Sequence, residues 1–243
     1  MAEKRRVGLL ILHGFTGSLD TVRCLVPAAE ARGWAWRMPV LRGHGTRHED
    51  LVGVRWGDWV ADAEAALAEL RAEAETIVVA GLSMGGLVTL TLAHRHPEAI
   101  AGVVTLAPCL RFADPLAGFT PLIKLFVPFW PSPNAYTDPA CRAASTNYKK
   151  FPTATFGELL DFATETERLL AAVQTPVHGI FARKDTITHA IVAHLLETKL
   201  GGPVTTEHFE ASGHELLSDG EAAAVCAAVM AAAERFASQA APA

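Results

Sequence analysis

Residues 76–97, TIVVAGLSMGGLVTLTLAHRHP, decide the fold. The run from Thr76 to Leu82 is apolar and rich in β-branched residues, without polar alternation, which predicts a strand that is buried on both faces of a sheet. The run from Gly85 to His96 predicts a helix that ends before Pro97. Between the two lies Gly81-Leu82-Ser83-Met84-Gly85, a G-x-S-x-G pattern at a strand-to-helix junction.

The chemistry of that junction explains why small residues lie on both sides of the serine. A tight strand-to-helix turn leaves no room for a side chain at Gly81 or Gly85. The turn exposes the Ser83 hydroxyl above the sheet, and the helix N-terminus behind it favours developing negative charge. A glycine-rich turn with an idle serine is the alternative, but the position between a strand and a helix favours a nucleophile.

The rest of the chain alternates between short apolar runs and longer amphipathic ones. Further strands are predicted at Val7–Leu12, Trp34–Met38, Ile100–Leu106, Val177–Phe181 and Pro203–Phe209. Helices are predicted at Asp58–Glu75, from a cap at Thr188 to about Leu200, and from a cap at Asp219 to a frayed tail at 238–243. This alternation is typical of an α/β fold, with a parallel sheet covered by helices on both faces.

One segment interrupts the alternation. Residues 111–168 lack a strand signal and are dense in proline and aromatic side chains. A structureless loop of that length is uncommon in a compact domain, so we predict a small inserted cap with short helices. The predicted organisation is a core of residues 1–110 and 169–243 with a cap of residues 111–168.

A serine hydroxyl needs a base to become a nucleophile. Among the ten histidines, His214 lies on a loop directly after the last predicted strand. Asp185 directly follows the strand that ends near Phe181, so both side chains belong to the carboxyl edge of the sheet. The predicted catalytic residues are therefore Ser83, Asp185 and His214, in the chain order expected for this triad on an α/β sheet. Asp219 is a competing acid that we interpret as a helix cap.

The oxyanion of a tetrahedral intermediate needs backbone N–H donors. Met84, the residue after the nucleophile, supplies one. Phe15, in the loop His13–Gly17 after the first strand, is best placed to supply the other. We interpret His13 as a structural hydrogen-bonding residue.

Five motifs carry a family resemblance: LHGFTGS (12–18), LRGHG (41–45), GLSMGG (81–86), ARKDTIT (182–188) and SGHE (212–215). Together, from Val7 to about Arg235, they resemble α/β-hydrolases of the bacterial carboxylesterase and monoacylglycerol-lipase-like group. The family's two leading antiparallel strands have almost no room before Val7. The resemblance then implies about six parallel strands in the order 2-1-3-4-5-6, and it places Arg42–Gly45 in a structural loop near the active-site floor.

The predicted function is a serine hydrolase of EC class 3.1.1 that cleaves short- to medium-chain carboxylic esters, and monoacylglycerols if the cap opens, through an acyl-enzyme. Phe126, Trp130 and Leu122 of the cap are expected to bind the acyl chain. A C–C hydrolase, a thioesterase or a perhydrolase would use the same triad, and a ligand-binding protein could reuse the fold.

Composition excludes several other classes. The chain has 243 residues, 50% hydrophobic, and a formal net charge of −5, which provides a large core and no basic surface for nucleic acid. No apolar run approaches the ~18 residues of a membrane span. The basic start at Lys4-Arg5-Arg6 precedes an apolar run that is too short for a signal peptide. We expect a cytoplasmic protein without a stable membrane anchor, whose partner is a small-molecule ester.

No cofactor or metal is expected. The four cysteines, Cys24, Cys109, Cys141 and Cys226, have no C-x-x-C spacing, and neither a dinucleotide-binding nor a phosphate-binding glycine motif is present. His44 and His48 have i, i+4 spacing, but the adjacent glycines predict a loop in which they would not share a helix face.

Overall fold

The computed structural model describes residues 5–240 of the chain. Within that range the strands are β1 (Arg5–Leu12), β2 (Ala35–Arg37), β3 (Ala74–Leu82), β4 (Ile100–Leu106), β5 (Phe129–Pro131), β6 (Lys150–Pro152), β7 (Val177–Ala182) and β8 (Val204–Phe209). The helices are α1 (Leu25–Glu30), α2 (Trp56–Glu73), α3 (Met84–Arg95), α4 (Thr120–Ile123), α5 (Pro139–Ala144), α6 (Thr153–Leu169), α7 (Ile191–Lys199) and α8 (Ala222–Ala240).

The central sheet of the described chain has six strands, all parallel, in the order β2-β1-β3-β4-β7-β8. This confirms the predicted order, with β7 and β8 as the fifth and sixth strands. The carboxyl ends of the central strands are in register, since Leu12 of β1 pairs with Gly81, and Leu82 of β3 pairs with Leu106 of β4. The loops after β1 and β3 therefore emerge side by side, at the point where the strand order reverses and where α/β sheets bind ligands.

Both faces of the sheet are buried, as the continuous apolar strands predict. Leu10 and Leu12 pack with side chains of α2, α3 and α6, while Leu9 and Ile11 pack on the opposite face with α1 and α8. Successive side chains of a strand point to opposite faces, so one apolar run supplies two cores. No helix within residues 5–240 is long and apolar enough to cross a membrane.

Two predicted helix caps are wrong. Helix α7 begins at Ile191, and the Thr188 hydroxyl instead donates to the carbonyl of Ala107 at 3.2 Å. The Asp219 carboxylate accepts hydrogen bonds from the N–H groups of Thr137, Asp138 and Gly213. Its oxygens therefore bind these groups rather than the first turn of α8. Of the predicted frayed tail, residues 238–240 belong to α8, whereas residues 241–243, like Lys4 at the other end, lie outside the described residues.

The inserted segment contains strands that the sequence did not reveal. Strands β5 and β6 form an antiparallel pair in which Phe129 opposes Pro152 and Pro131 opposes Lys150. Each strand has three residues. A proline in each removes an N–H donor, so no strand pattern is visible in the sequence.

The last part of the segment is a long helix rather than a set of short ones. Helix α6 has 17 residues, and its Leu159, Phe162 and Ala163 are buried in the core with α2 and α3. The ring of Phe162 stacks on Trp56 of α2 with centroids 5.1 Å apart. Helix α6 therefore packs as a layer of the core. The boundary of the cap at residue 168 remains a prediction.

Replacing Phe162 by Ala tests that role of α6. The ring is 1% exposed, so its removal should lower the free energy of unfolding by about 3–5 kcal/mol through lost burial and a residual cavity. Phe126→Ala is the matched control, because that ring is 78% exposed and its loss should change stability by less than about 0.5 kcal/mol. Urea unfolding of both variants measures the difference. Equal, small effects would show that α6 does not support the core.

Candidate active site

Ser83 occupies a strained turn between β3 and α3. Its backbone angles are φ 56° and ψ −113°, a region that non-glycine residues rarely adopt. A Cβ atom at Gly81 would lie 2.2 Å from the carbonyl oxygen of Gly85, and one at Gly85 would lie 2.4 Å from that of Leu12. Neither position tolerates a side chain. The turn therefore presents Ser83 at the carboxyl edge of the sheet, as the G-x-S-x-G pattern predicts.

The structure brings Asp185 and His214 into direct contact. Asp185 Oδ2 lies 2.8 Å from His214 Nδ1. The other carboxylate oxygen, Oδ1, accepts from the backbone N–H groups of Ile187 at 2.7 Å and Thr188 at 2.9 Å. Because a carboxylate accepts, Nδ1 carries the imidazole proton, and the neutral ring keeps Nε2 as a proton acceptor.

The same contact shifts both pKa values. Burial lowers the pKa of His214, but the charge of Asp185, its hydrogen bond and the nearby Glu215 outweigh burial, so the pKa is raised above 6.5. Burial raises the pKa of Asp185, but the charge and hydrogen bond of His214 and the two backbone N–H groups outweigh it, so that pKa is lowered. Asp185 therefore favours the imidazolium form of His214.

Ser83 and His214 line one cavity of about 570 Å³, together with Gly14 and Phe15. Ser83 is 7% exposed and His214 is 5% exposed. Among residues 5–240 no hydrogen bond joins their side chains, which is a common state of a serine and its base before substrate binds. Asp185 lies behind His214 and does not line the cavity.

The loop after β1 passes directly against the serine. A Cβ atom at Gly14 would lie 3.2 Å from the Cβ of Ser83. Within the described chain the N–H groups of Phe15 and Met84 have no protein acceptor, and both residues are neighbours of Ser83 in space or in sequence. These are the two donors that the sequence predicts for the oxyanion.

Two buried histidines fix that loop. His13 Nε2 accepts from the N–H of Leu41 at 3.1 Å, and its Nδ1 donates to the carbonyl of Gly14 at 2.9 Å. His44 Nε2 accepts from the N–H of Thr16 at 3.2 Å, and its Nδ1 donates to the carbonyl of Leu41 at 3.0 Å. Burial lowers the pKa of His13 to about 4 and that of His44 to about 3. Both rings are therefore neutral hydrogen-bonding groups, and the loop that carries His44 lies against the loop after β1.

The cap residues divide differently from the prediction. Trp130 lines the cavity. Leu122 and Phe126 do not; they are 59% and 78% exposed and lie on the outer surface of the cap. Apolar character alone does not reveal which face of a four-residue helix such as α4 points inward. Further large apolar side chains of the wall are Phe112, Leu116, Ile123, Phe151, Phe156, Leu159 and Ile187.

The cavity wall has an aromatic region and a polar region. The rings of Phe112 and Phe156 are 5.1 Å apart, those of Phe151 and Phe156 are 5.2 Å apart, and those of Phe15 and Phe151 are 5.4 Å apart. The polar region comprises Ser132, Asn134, Tyr136, Asn147 and Glu215. Most of it comes from residues 132–147, for which the sequence predicts only a place in the cap.

This polar stretch of the cap is hydrogen-bonded to the loop that carries His214. The N–H of Glu215 donates to the carbonyl of Ala135 at 3.2 Å, and the Asn147 amide donates to the Glu215 carboxylate at 2.7 Å. Asp219 accepts from the N–H groups of Thr137 at 2.8 Å and Gly213 at 2.7 Å. The acid that competed with Asp185 thus holds the cap in place and does not contact His214.

Comparisons with known proteins agree with this geometry. The family described as serine aminopeptidase S33 matches residues 3–221. A thermostable monoacylglycerol lipase of Bacillus sp. (strain H-257) is 41% identical over 119 residues, 49% of this chain and 47% of that protein. A carboxylesterase of Bacillus subtilis (strain 168) is 24% identical over 215 residues, 88% of this chain and 86% of that protein. The chain thus spans about half the length of the first relative and most of the second.

A solved structure from work on the metagenome-derived lipolytic enzymes LipS and LipT superposes with a TM-score of 0.87 and 26% identity, covering 96% of this chain and 95% of that one. The six-stranded sheet and its surrounding helices are therefore those of an α/β hydrolase. The named relatives support ester hydrolysis by such a fold.

Titration of the histidine rings tests the electrostatics of the site. NMR of imidazole-labelled protein should give His214 a midpoint above 6.5, while His13 titrates near 4 and His44 near 3. Asp185→Asn should lower the His214 midpoint, because the carboxylate that stabilises the imidazolium is gone. His13 and His44 serve as internal controls and should not move. A His214 midpoint that is unchanged in Asp185→Asn would contradict the pairing.

Proposed function

The chain belongs to the serine aminopeptidase S33 family of α/β hydrolases. We propose that it is a serine esterase that acts through an acyl-enzyme. One observation carries the proposal. Ser83, in a strained turn, and His214, which is hydrogen-bonded to Asp185, line the same cavity. The fold alone would be compatible with binding without catalysis, but a nucleophile, a base and an orienting acid at one cavity favour an enzyme.

In the proposed first half-reaction, His214 Nε2 takes the proton of the Ser83 hydroxyl while Oγ attacks the ester carbonyl carbon. The carbonyl oxygen becomes an oxyanion, which accepts hydrogen bonds from the N–H groups of Phe15 and Met84. The C–O bond to the alcohol then breaks, and the His214 imidazolium gives its proton to the leaving oxygen. Asp185 stabilises the imidazolium and keeps the ring in the correct tautomer.

In the second half-reaction, water replaces the alcohol. His214 removes a proton from this water, whose oxygen attacks the carbonyl carbon of the acyl-serine. A second oxyanion forms at the same two N–H groups. It collapses to the carboxylic acid, and Ser83 recovers its proton from His214.

The two regions of the cavity support a division of the ester between them. Each buried CH₂ group of an acyl chain contributes about 0.8 kcal/mol in an apolar pocket. The aromatic region that includes Phe112 and Phe156 is therefore proposed to hold a short- to medium-chain acyl group. The polar region is left for the alcohol, and we include monoacylglycerols among the proposed substrates.

We also propose that the protein acts in the cytoplasm, with no nucleic-acid partner and no stable membrane anchor. All four cysteines carry free thiols. The Cys226 thiol donates to the carbonyl of Cys24 at 3.4 Å, so two cysteines lie close together without forming a disulfide.

Replacing Ser83 by Ala tests the nucleophile. Without the hydroxyl no acyl-enzyme forms, so kcat/KM for p-nitrophenyl octanoate should fall at least about 10³-fold. Ser238→Ala, a change of the same kind at an exposed position of α8, should keep the wild-type rate. A fluorophosphonate probe should label wild type once, at Ser83. Full activity of Ser83→Ala would contradict the proposal. So would a wild-type enzyme that hydrolyses an aminoacyl p-nitroanilide faster than any of the esters.

The chain-length profile tests the cavity. Rates on p-nitrophenyl esters should rise from acetyl to longer acyl groups until the apolar region is full, and then fall. Trp130→Ala should move the optimum, because Trp130 lines the cavity. Phe126→Ala should leave the profile unchanged, because Phe126 is exposed on the outer surface. A profile that responds to Phe126→Ala and not to Trp130→Ala would show that the cap closes differently around substrate.

A further inference from the structure

The loop after β1 contains a residue in a strained conformation. Thr16 has a φ of 62°, in the left-handed region that β-branched residues rarely adopt. It is the third residue of a turn in which the N–H of Gly17 donates to the carbonyl of Gly14 at 3.2 Å. Turns with a positive φ at this position favour glycine. A threonine persists there only if its surroundings hold it in place.

The same turn sets the direction of the proposed oxyanion donor. Phe15 is the second residue of the turn, and its N–H belongs to the peptide group that contains the Gly14 carbonyl. A trans peptide is planar, so its N–H points away from its carbonyl. That carbonyl accepts from the Gly17 N–H and from His13 Nδ1, the latter at 2.9 Å. A change in the turn would therefore redirect the N–H of Phe15.

Thr16 is hydrogen-bonded to a neighbouring loop through each of its two peptide groups. Its N–H donates to His44 Nε2 at 3.2 Å, and its carbonyl accepts from the N–H of Tyr148 at 2.9 Å. His44 belongs to the core, whereas Tyr148 belongs to the inserted cap. The cap is thus bonded directly to the strained residue of the turn.

The side chain of Tyr148 also holds the loop that carries His44. Its hydroxyl donates to the carbonyl of Gly43 at 3.1 Å and accepts from the N–H of Thr46 at 3.0 Å. These two bonds lie on either side of His44 in the sequence, and the rings of His44 and Tyr148 are nearly parallel, with centroids 6.3 Å apart. Tyr148 therefore supports Thr16 twice, directly through its N–H and indirectly through His44.

We propose that Tyr148 is a positioning residue for the reaction, which fixes Thr16 and thereby keeps the N–H of Phe15 directed at the oxyanion. The inference rests on the proposed esterase function. It makes the cap a support of the transition state in addition to a part of the cavity wall. Removal of one oxyanion donor costs about 10²- to 10³-fold in rate, and a displaced donor should cost less than a missing one.

Two other roles of Tyr148 would give different results. Tyr148 lines the cavity, so its ring could act by contacting the substrate. Its neighbour Asn147 donates to Glu215 at 2.7 Å, so an effect could also pass to the adjacent His214. Tyr148→Phe separates these roles from positioning, because it keeps the ring and the backbone N–H and removes only the two bonds of the hydroxyl.

The first experiment measures hydrolysis of p-nitrophenyl octanoate by Tyr148→Phe. Both kcat and kcat/KM should fall by roughly 10-fold with KM almost unchanged, because the weakened interaction is made only in the transition state. The acid limb of the pH–rate profile, which His214 governs, should coincide with that of wild type. Thr164→Val is the matched control and should retain the wild-type constants, because it removes a hydroxyl that donates to the Leu160 carbonyl at 3.0 Å on the exposed side of α6.

Inhibitor binding gives a second readout that does not depend on the folded fraction. An octyl trifluoromethyl ketone accepts Ser83 Oγ at its carbonyl carbon and then carries an oxyanion, whereas octyl methyl ketone binds as the unreacted ketone. Tyr148→Phe should weaken binding of the trifluoromethyl ketone by the same factor as it lowers kcat, and binding of the methyl ketone by less than about 2-fold.

A double variant tests whether the effect passes through Thr16. Glycine adopts a positive φ without strain, so Thr16→Gly should make the turn less dependent on its support. In the Thr16→Gly background, Tyr148→Phe should therefore cost less than about 3-fold in kcat, against roughly 10-fold in the wild-type background. An undiminished loss would contradict action through Thr16.

The remaining outcomes contradict the proposal in distinguishable ways. A raised KM with unchanged kcat would make Tyr148 a substrate contact, and a shifted acid limb would place its effect on His214. Wild-type constants in Tyr148→Phe, or equal weakening of both ketones, would refute the positioning role and leave the esterase function standing. If wild type shows no hydrolysis that depends on Ser83, the proposed function fails together with the inference.

Discussion

The absence of space around the turn at Ser83 is the constraint on which the rest of the site depends. A single Cβ atom at Gly81 or Gly85 would approach a backbone carbonyl oxygen to 2.2 or 2.4 Å. The first of these contacts lies within the turn, and the second joins it to the end of β1. The loop after β1 is thereby held against Ser83. The N–H of Phe15 in this loop is proposed to stabilise the oxyanion that forms when the serine attacks the ester. The strained φ of 56° at Ser83 persists because β3 and α3, which flank the turn, fix the backbone.

The inserted segment has two parts that are attached differently to the rest of the protein. Residues 132–147 are hydrogen-bonded to the loop of His214 through Asp219 and Glu215, so this part of the cavity wall is fixed to that loop. The segment of residues 115–127 exposes a series of large apolar side chains: Leu116, Phe119, Leu122, Leu125 and Phe126. Leu116, Ala117, Thr120 and Ile123 of the same segment line the cavity.

Much of this could be read from the sequence because parallel strands impose strong rules. Residues that directly follow buried strands meet at one sheet edge, and this rule selected Asp185 and His214 from many acids and histidines; the structure joins them at 2.8 Å. Orientation within short irregular elements follows no such rule. Leu122 and Phe126 differ little from Trp130 in apolar character, yet only Trp130 faces the cavity.

Long-range hydrogen bonds could not be predicted from the sequence for a related reason. Asp219 precedes a helix, which made a capping role the local expectation, but its partners Thr137 and Asp138 lie about eighty residues away. The hydrogen bond between Asn147 and Glu215 likewise joins residues that are far apart in the sequence. Such pairings depend on how the cap folds back over the sheet, and no local pattern encodes them.

The proposed acyl-enzyme at Ser83 can be trapped by acid-quenching wild-type enzyme within milliseconds of mixing with p-nitrophenyl octanoate. The acylated peptide is then mapped by mass spectrometry. We expect one octanoyl group per chain, on Ser83, formed with a stoichiometric burst of p-nitrophenol. An octanoyl group on another residue, or turnover with no acylated peptide and no burst under conditions where deacylation limits the rate, would contradict it.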